Sequence, residues 1–400
     1  MNAPHEDYSH ELLADLQTQS EEFIAVRRDI HQHPEMGYKE YRTSDLVAEQ
    51  LEEWGYAVTR GLGGTGVVGQ LKRGNGNKSI GLRADMDALP IQEATGLPYA
   101  SCNVGIMHAC GHDGHTAMLL AAAKHIAQNV QFCGTLNLIF QPAEEGLGGA
   151  KKMLDDGLFA KFPCDAVFAM HNMPGHPQGQ LILRDGPMMA SSDNVIVELE
   201  GVGGHGALPH RTADPVVAGA AIVMGLQSIV ARNVDPQEMA VITVGAFQAG
   251  QANNVIPQTA TLRLSVRALN SGVRDLLETR ITELVNAQAL SYGVRARIDY
   301  RRSYPVLVNH LDETNLARDV AEELVGADQV VRQGSALSGS EDFAFFLEQV
   351  PGTYLLIGNG EGESDGHGAC MVHNPGYDFN DKNIAIGSAY WSLLVKRYLR

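Results

Sequence analysis

The chain has 400 residues, 44% of them hydrophobic, which suffices for a large core and points to two domains. Its formal net charge of −17 repels phosphate backbones and anionic surfaces, so neither nucleic acid nor a membrane is expected as a partner. Five cysteines at irregular positions (102, 110, 133, 164, 370) make no disulfide framework, and the polar start M-N-A-P-H-E-D-Y-S-H carries no apolar targeting stretch. Apolar runs such as Met118 to Ala123 are too short to cross a bilayer. A cytoplasmic, reducing setting is the expectation.

Apolar periodicity predicts a helix over 9–33, closed by His33-Pro34, and a second from Tyr41 to Trp54, stopped by Gly55. Short strands follow at Gly66 to Leu71, Ser79 to Leu82, Leu136 to Phe140 and Ala166 to Met170, with a helix opening at Gly111-His112-Asp113 and running to about Gln128. This alternation predicts an α/β domain with a mixed, mostly parallel sheet flanked by helices.

The pattern changes after Asp185-Gly186-Pro187. Strands are expected at Asn194 to Leu199, Ala240 to Ala246, Thr259 to Val266 and Val294 to Tyr300. Helices are expected from Asp214-Pro215 to Ile229 and from Ser271 to Ala289. The order β-α-β-β-α-β is the ferredoxin-like α+β plan. The reading is therefore an inserted domain at 189–305 within a discontinuous domain built from 1–188 and 306–400.

Chemistry-bearing residues gather in four clusters: Met107 to Thr116 (M-H-A-C-G-H-D-G-H-T), Phe140 to Gly146 (F-Q-P-A-E-E-G), Ala169 to Gly175 (A-M-H-N-M-P-G) and Met371 to Gly376 (M-V-H-N-P-G). Each follows an apolar run that reads as a strand, and ligands of open α/β sheets bind outside the carboxyl ends of strands. Cys110 and His112, two residues apart at a helix start, suit one metal or a thiolate bridge between two, and the helix N-terminus is expected to lower the thiol pKa. His115 is placed to share a helix face with His112, and His125 reads as a surface or C-terminal cap residue.

Glu144 and Glu145 are adjacent, so in extended backbone they face opposite ways. One can ligate a metal while the other takes a proton from the water that the metal activates. With His171 and His373, the donors Cys110, His112 and Glu145 number five, as two metals sharing a bridge require. Asp85 and Asp87 follow the strand from Ser79. One of them can orient a ligating histidine, and Arg83 can equally neutralise Asp85. In the inserted domain, four glycines surround His205 (G-V-G-G-H-G-A-L-P-H), and Asn254 and Arg267 lie on the same domain.

Other readings compete with a metal-dependent hydrolase. Cys110 could be a nucleophile with histidines nearby, which leaves Glu144-Glu145 without a task. A binding protein has no need of Glu144. A structural zinc site wants four closed ligands and no adjacent base.

The blocks R-A-D-M-D-A-L-P, M-H-A-C-G-H-D-G-H-T, Q-P-A-E-E-G, G-G-H-G-A-L-P-H, S-G-S-E-D-F and H-N-P-G-Y-D-F-N-D, with R-R-D-I-H-Q-H-P-E near the N-terminus, resemble the aminoacylase/carboxypeptidase-like metallohydrolases. They are most similar to the branch of hippurate hydrolase and the indole-3-acetyl-amino-acid hydrolases, and the match runs in order from about residue 22 to 381. The resemblance implies two divalent metal ions (Zn, Mn, Co, Ni or Fe) held by Cys110, His112, Glu145, His171 and His373, with Cys110 bridging and Glu144 as general base. It implies that His205 reaches the oxyanion from the lid of a partner subunit, with the inserted domain as lid and dimerisation domain of a homodimer. It implies that Asn254 and Arg267 hold the substrate carboxylate. The expected reaction splits N-acyl amino acids (benzoyl, acetyl or indole-acetyl) into a carboxylic acid and an amino acid. A dipeptidase or carboxypeptidase of the same mechanism is the alternative. Where the wider family has His-x-Asp and a bridging Asp, this chain reads Asp85-Met86-Asp87 and Cys110.

Overall fold

The structure is a computed structural model and describes residues 3–362, 368 and 370–400. The chain divides into two compact units. One comprises Met1–Gly186, Val308–Ser335 and Phe345–Arg400; the other comprises Pro187–Leu307 and Ala336–Ala344. The sequence reading kept 306–400 wholly with the first domain. The chain instead returns to the second unit at Ala336–Ala344, where Leu337 exchanges backbone hydrogen bonds with Met188 and Ala190. Such a short backbone pairing has no hydropathy period to reveal it.

The first unit is built on an eight-stranded mixed sheet. Its central strands, Gly134–Gln141, Ser79–Asp85, Ala166–Met173 and Gly352–Gly358, lie side by side in that order and run parallel. Ala57–Leu62 and Gly66–Arg73 continue one edge antiparallel; Leu181–Ile182 and Val330–Val331 complete the other. Ser79–Asp85 and Gly352–Gly358 are buried along their whole length, as strands covered on both faces are. The helices Ala3–Gln32, His112–Asn129 and Asn383–Tyr398 pack on one another. Phe23, Leu119, Trp391 and Leu394 from them join Leu82, Leu138 and Phe168 of the sheet in one core.

Three strands run further than their apolar stretch. They end at Asp85, Gln141 and Met173, so Asp85 and His171 are strand residues. The backbone ladder continues after hydropathy has turned polar, because those polar side chains are satisfied in the site that the strand ends build. Among the described residues, no strand leads directly into the first or fourth cluster. Cys110 ends the segment after Asp85, and His373 lies in a turn whose backbone N–H donates to Ala109 O (2.7 Å).

The second unit has a four-stranded antiparallel sheet in the order Ala240–Ala249, Thr259–Ala268, Ser192–Glu200, Arg295–Tyr304. With the helices Pro215–Asn233 and Ser271–Ser291, this is the β-α-β-β-α-β order in ferredoxin-like arrangement. Asp214 caps the first helix by accepting from Val216 N, with Pro215 at its first position, and Asn270 caps the second. Pro215–Asn233 is long and apolar enough to cross a membrane by length and composition, which the search for apolar runs overlooked. It buries Ala218, Ile222, Leu226 and Ile229 in the core of the second unit and exposes Val216, Val217 and Met224.

Candidate functional site

At the carboxyl ends of the parallel strands, the first unit gathers the ligand atoms of Cys110, His112, Glu145, His171 and His373. Cys110 with His112 and His171, Cys110 with Glu145 and His373, and His112 with Glu144 and Glu145 each form a cluster whose ligand atoms lie within 4.8 Å of one another. Cys110 Sγ is 3.3 Å from His171 Nε2, and Glu145 Oε1 is 3.2 Å from His373 Nε2. Cys110, His112 and Glu145 each belong to two of these three clusters.

Hydrogen bonds to the far side of each ring fix which nitrogen faces the site. His171 Nδ1 donates to Asn172 O (2.6 Å), which leaves Nε2 towards Cys110. His112 Nδ1 lies 3.2 Å from Asp87 Oδ1, and its Nε2 is buried with no hydrogen-bond partner among the described residues. An orphaned buried imidazole nitrogen is costly unless something else satisfies it. Thiolate, imidazole and carboxylate donors suit a transition-metal dication, so the residues fit a metal pair.

Burial pushes the Cys110 thiol well above its usual range, and the carboxylates of Glu145, Glu144 and Asp85 push the same way. This overturns the expectation that the helix start lowers it. Gly111, not Cys110, caps the helix, and three nearby acids outweigh the helix dipole. A buried thiol of this kind is a poor free nucleophile at neutral pH and disfavours the cysteine-hydrolase reading. Burial would lower the pKa of His112, but Asp85 and Asp87 beside it win and raise it to about 10. Burial, with His115 and His112 adding, drives His171 well down.

Both predicted aspartates sit behind the ligands. Asp85 accepts from Arg83 (2.6 Å), which neutralises it, and from His115 Nδ1 (2.7 Å). The histidine it orients is not a ligand of the pair: His115 Nε2 accepts from Asn172 N (3.0 Å) and is already used. Asp87 orients His112 and also accepts from the backbone N–H of Glu145 (2.9 Å). His125 is neither a surface residue nor a cap. It is 4% exposed and lies 3.5 Å from Asp15.

Sequence reading missed Asn172, Tyr377 and Glu40. Asn172 is fully buried. It donates to Cys110 O (2.6 Å) and accepts from Tyr377 Oη (2.6 Å), which fixes the start of the helix carrying His112. The only signal for it was its place beside His171.

In the second unit, His205 is exposed on a two-residue strand paired with Val255–Ile256, and Gly206 N donates to Asn254 O (2.8 Å). His205 Nδ1 accepts from Ala207 N (3.1 Å), which leaves Nε2 as an outward N–H donor. Arg267 is half-buried and donates to Ser340 Oγ (2.8 Å). It lies near one end of the strand Thr259–Ala268, where Val266 pairs with Asp193; Asn254 precedes the other end, where Thr259 pairs with Glu200. Eight residues of extended strand separate those ends by about 27 Å. Within a single chain Asn254 and Arg267 thus lie towards opposite ends of this strand.

The profile of Peptidase family M20/M25/M40 matches residues 81–397. The chain belongs to this family. It is 46% identical over 379 residues to a hippurate hydrolase of Campylobacter jejuni, covering 95% of this chain and 97% of that protein. It is 37% identical over 382 residues to an IAA-amino acid hydrolase of Arabidopsis thaliana, covering 94% and 85%. Among solved structures, a dinuclear metal binding peptidase of the M20 family from Bacillus subtilis superposes with a TM-score of 0.82 at 32% identity, covering 96% of this chain and 99% of that one. As a member of Peptidase family M20/M25/M40, the protein is a metal-dependent amidohydrolase. Cys110, His112, Glu145, His171 and His373 are the set that fits the metal pair.

Proposed function

We propose that the protein hydrolyses N-acyl amino acids, releasing a carboxylic acid and a free amino acid. The observation that carries this is Glu144 set beside a five-donor cluster. A carboxylate 7% exposed has its ligand atom within 4.8 Å of those of His112 and Glu145, and the other five donors would hold the metals without it. Bound divalent ions supply Lewis acidity, lowering the pKa of a water from about 15.7 towards 7 and polarising the scissile carbonyl. Glu144 takes the proton from the attacking water and returns it to the leaving amine. His205 Nε2–H donates to the developing oxyanion, and Arg267 grips the substrate carboxylate through two parallel hydrogen bonds.

We infer a homodimer in which His205 serves the partner's site. The exposed apolar face of Val216, Val217 and Met224 (73% exposed) beside the edge strand Ala240–Ala249, where Val241 and Phe247 are also exposed, supports this. A second copy laid edge to edge would cover both. Hippurate hydrolase and IAA-amino acid hydrolase as relatives favour benzoyl and indole-acetyl substrates over free dipeptides. The test is metal analysis of purified protein, then a panel of N-benzoyl, N-acetyl and indole-acetyl amino acids beside dipeptides. Turnover of dipeptides alone would overturn the N-acyl reading in favour of a dipeptidase.

A further inference from the structure

The loop that carries Glu144 and Glu145 is anchored from outside the metal cluster. Glu40 occupies the N-cap position of the helix Tyr41–Glu53, yet its side chain makes no capping hydrogen bond. Glu35 does that work: its carboxylate accepts from Arg42 N (3.0 Å), Thr43 N (2.9 Å) and Thr43 Oγ1 (3.0 Å). Glu40 is thereby released inward, fully buried, where one oxygen accepts from Ala143 N (2.8 Å) and the other from Thr65 Oγ1 (2.5 Å).

Ala143 is one of three non-glycine residues with a positive φ (55°) among the described residues. That conformation is costly for a residue with a Cβ and persists only where surroundings enforce it. The enforcement is visible. A Cβ on Gly37 would come within 3.1 Å of the Ala143 Cα, and Ala143 O accepts from Gly149 N (3.0 Å). Two residues on, Glu145 N is held by Asp87 Oδ2 (2.9 Å). Two buried carboxylates from separate elements therefore grip alternate N–H groups, 143 and 145, with Glu144 between them.

We propose that Glu40 is a positioning residue: by holding Ala143 in the left-handed region it aims Glu144 at the reacting water and Glu145 at the metal pair. This rests on the roles given above to Glu144 and Glu145. Burial pushes the Glu40 carboxyl up to about 7, and in either protonation state one oxygen remains for Ala143 N–H. Glutamine keeps the same pattern, with its amide oxygen on Ala143 N and its NH2 donating to Thr65 Oγ1, and so serves as the conservative variant.

The experiment compares wild type with Glu40→Ala, Glu40→Gln and Thr65→Val, all loaded with excess metal and assayed well below their melting temperatures. Glu40→Ala should lose about 10- to 100-fold in kcat with KM nearly unchanged, the scale of a small misplacement of a reacting group. Amide exchange in the peptide 141–147 should quicken in Glu40→Ala and return to wild-type protection in Glu40→Gln, with kcat returning alongside. Thr65→Val, which frees one oxygen, should quicken exchange to a lesser degree and keeps the test alive if Glu40→Ala does not fold. Wild-type kcat and exchange in Glu40→Ala would overturn the proposal. So would Thr65→Val with wild-type exchange if Glu40→Ala does not fold, a kcat loss in Glu40→Ala abolished by full metal loading, or Glu40→Gln as impaired as Glu40→Ala despite restored protection. Exchange needs no substrate, so a wild type inactive on N-acyl amino acids would sink the functional reading and leave the anchoring of the loop standing or falling on its own.

Discussion

Asp87 Oδ1 stands 3.2 Å from His112 Nδ1, while the other oxygen of the same carboxylate holds the backbone N–H of Glu145. One aspartate thus orients one ligand's ring and another ligand's main chain. Asp87→Asn can still accept one of these bonds but cannot serve both with an ionised group. Metal affinity should fall about 10- to 100-fold, the usual cost of losing a carboxylate behind a ligating histidine. Competition of each variant against a chelator of known affinity measures this directly. Wild-type affinity in Asp87→Asn would show that the ring is held by packing alone.

Glu144→Gln separates proton transfer from metal holding. The amide keeps shape and burial but cannot accept a proton, so metal content should stay at wild-type level. The value of kcat should fall about 10²-fold or more, in line with general-base contributions. Metal analysis and initial rates on the same sample decide it. Near-normal turnover by a fully loaded variant would remove Glu144 from the role of base.

Much of this site was legible in sequence because its donors are sparse, chemically distinctive residues close to strand ends. Cys110, His112, Glu145, His171 and His373 were picked as types that bind metals, and the fold brings their ligand atoms together. What was illegible depends on contacts distant in sequence. Glu40 meets Ala143 across 103 positions, and Tyr377 meets Asn172 across 205. No local period encodes such pairs. The thiol of Cys110 was misjudged for the same reason. Its helix start was visible locally, whereas its burial, and the carboxylates of Glu145, Glu144 and Asp85 that two other segments bring to it, were not. The central strand Gly352–Gly358 and the return of Ala336–Ala344 to the second unit were equally hidden, the first in a general alternation, the second in a stretch too short for periodicity.

Metal loading should be strongly proton-linked. In the metal-free protein His112 has its pKa raised to about 10, and the Cys110 thiol is raised well above its usual range. Both are therefore protonated at pH 7, and both must lose a proton to become ligands. The sign follows: lowering the pH weakens binding and raising it strengthens binding. With about two protons released per loaded site, apparent affinity should change about 100-fold per pH unit between pH 6 and 8. Calorimetric titration of apo protein with Zn²⁺ or Mn²⁺ in buffers of different ionisation enthalpy counts the protons. A count near zero would show that these groups are already deprotonated before metal arrives.

Subunit complementation tests whether His205 acts across an interface. A Glu144→Gln subunit and a His205→Ala subunit are each expected to form inactive homodimers. In a mixed dimer one active site combines an intact Glu144 with an intact His205 from the other chain, so up to about half of the sites in heterodimers should recover. Subunit exchange is followed with two affinity tags and activity with the preferred N-acyl amino acid. Proven exchange with no recovery would place His205 at the site of its own chain.

Arg267 carries the last expectation. A chain of net charge −17 must bind a substrate that bears a free carboxylate, so a local cation has to overcome the background. Arg267 is half-buried on its strand, and its Nη1 donates to Ser340 Oγ, which orients the guanidinium without neutralising it. A guanidinium fork grips a carboxylate through two parallel bonds, and lysine keeps the charge but not the fork. Arg267→Lys should therefore raise KM for N-acyl amino acids about tenfold or more, the loss of one charge-assisted hydrogen bond, with a smaller change in kcat. The same substrates with the carboxylate masked as an amide should be poor for the wild type and little altered by the substitution. Steady-state kinetics on the matched pair separates recognition from general damage. Equal losses on free-acid and masked substrates would mean that Arg267 supports its strand and the Ser340 segment rather than the substrate.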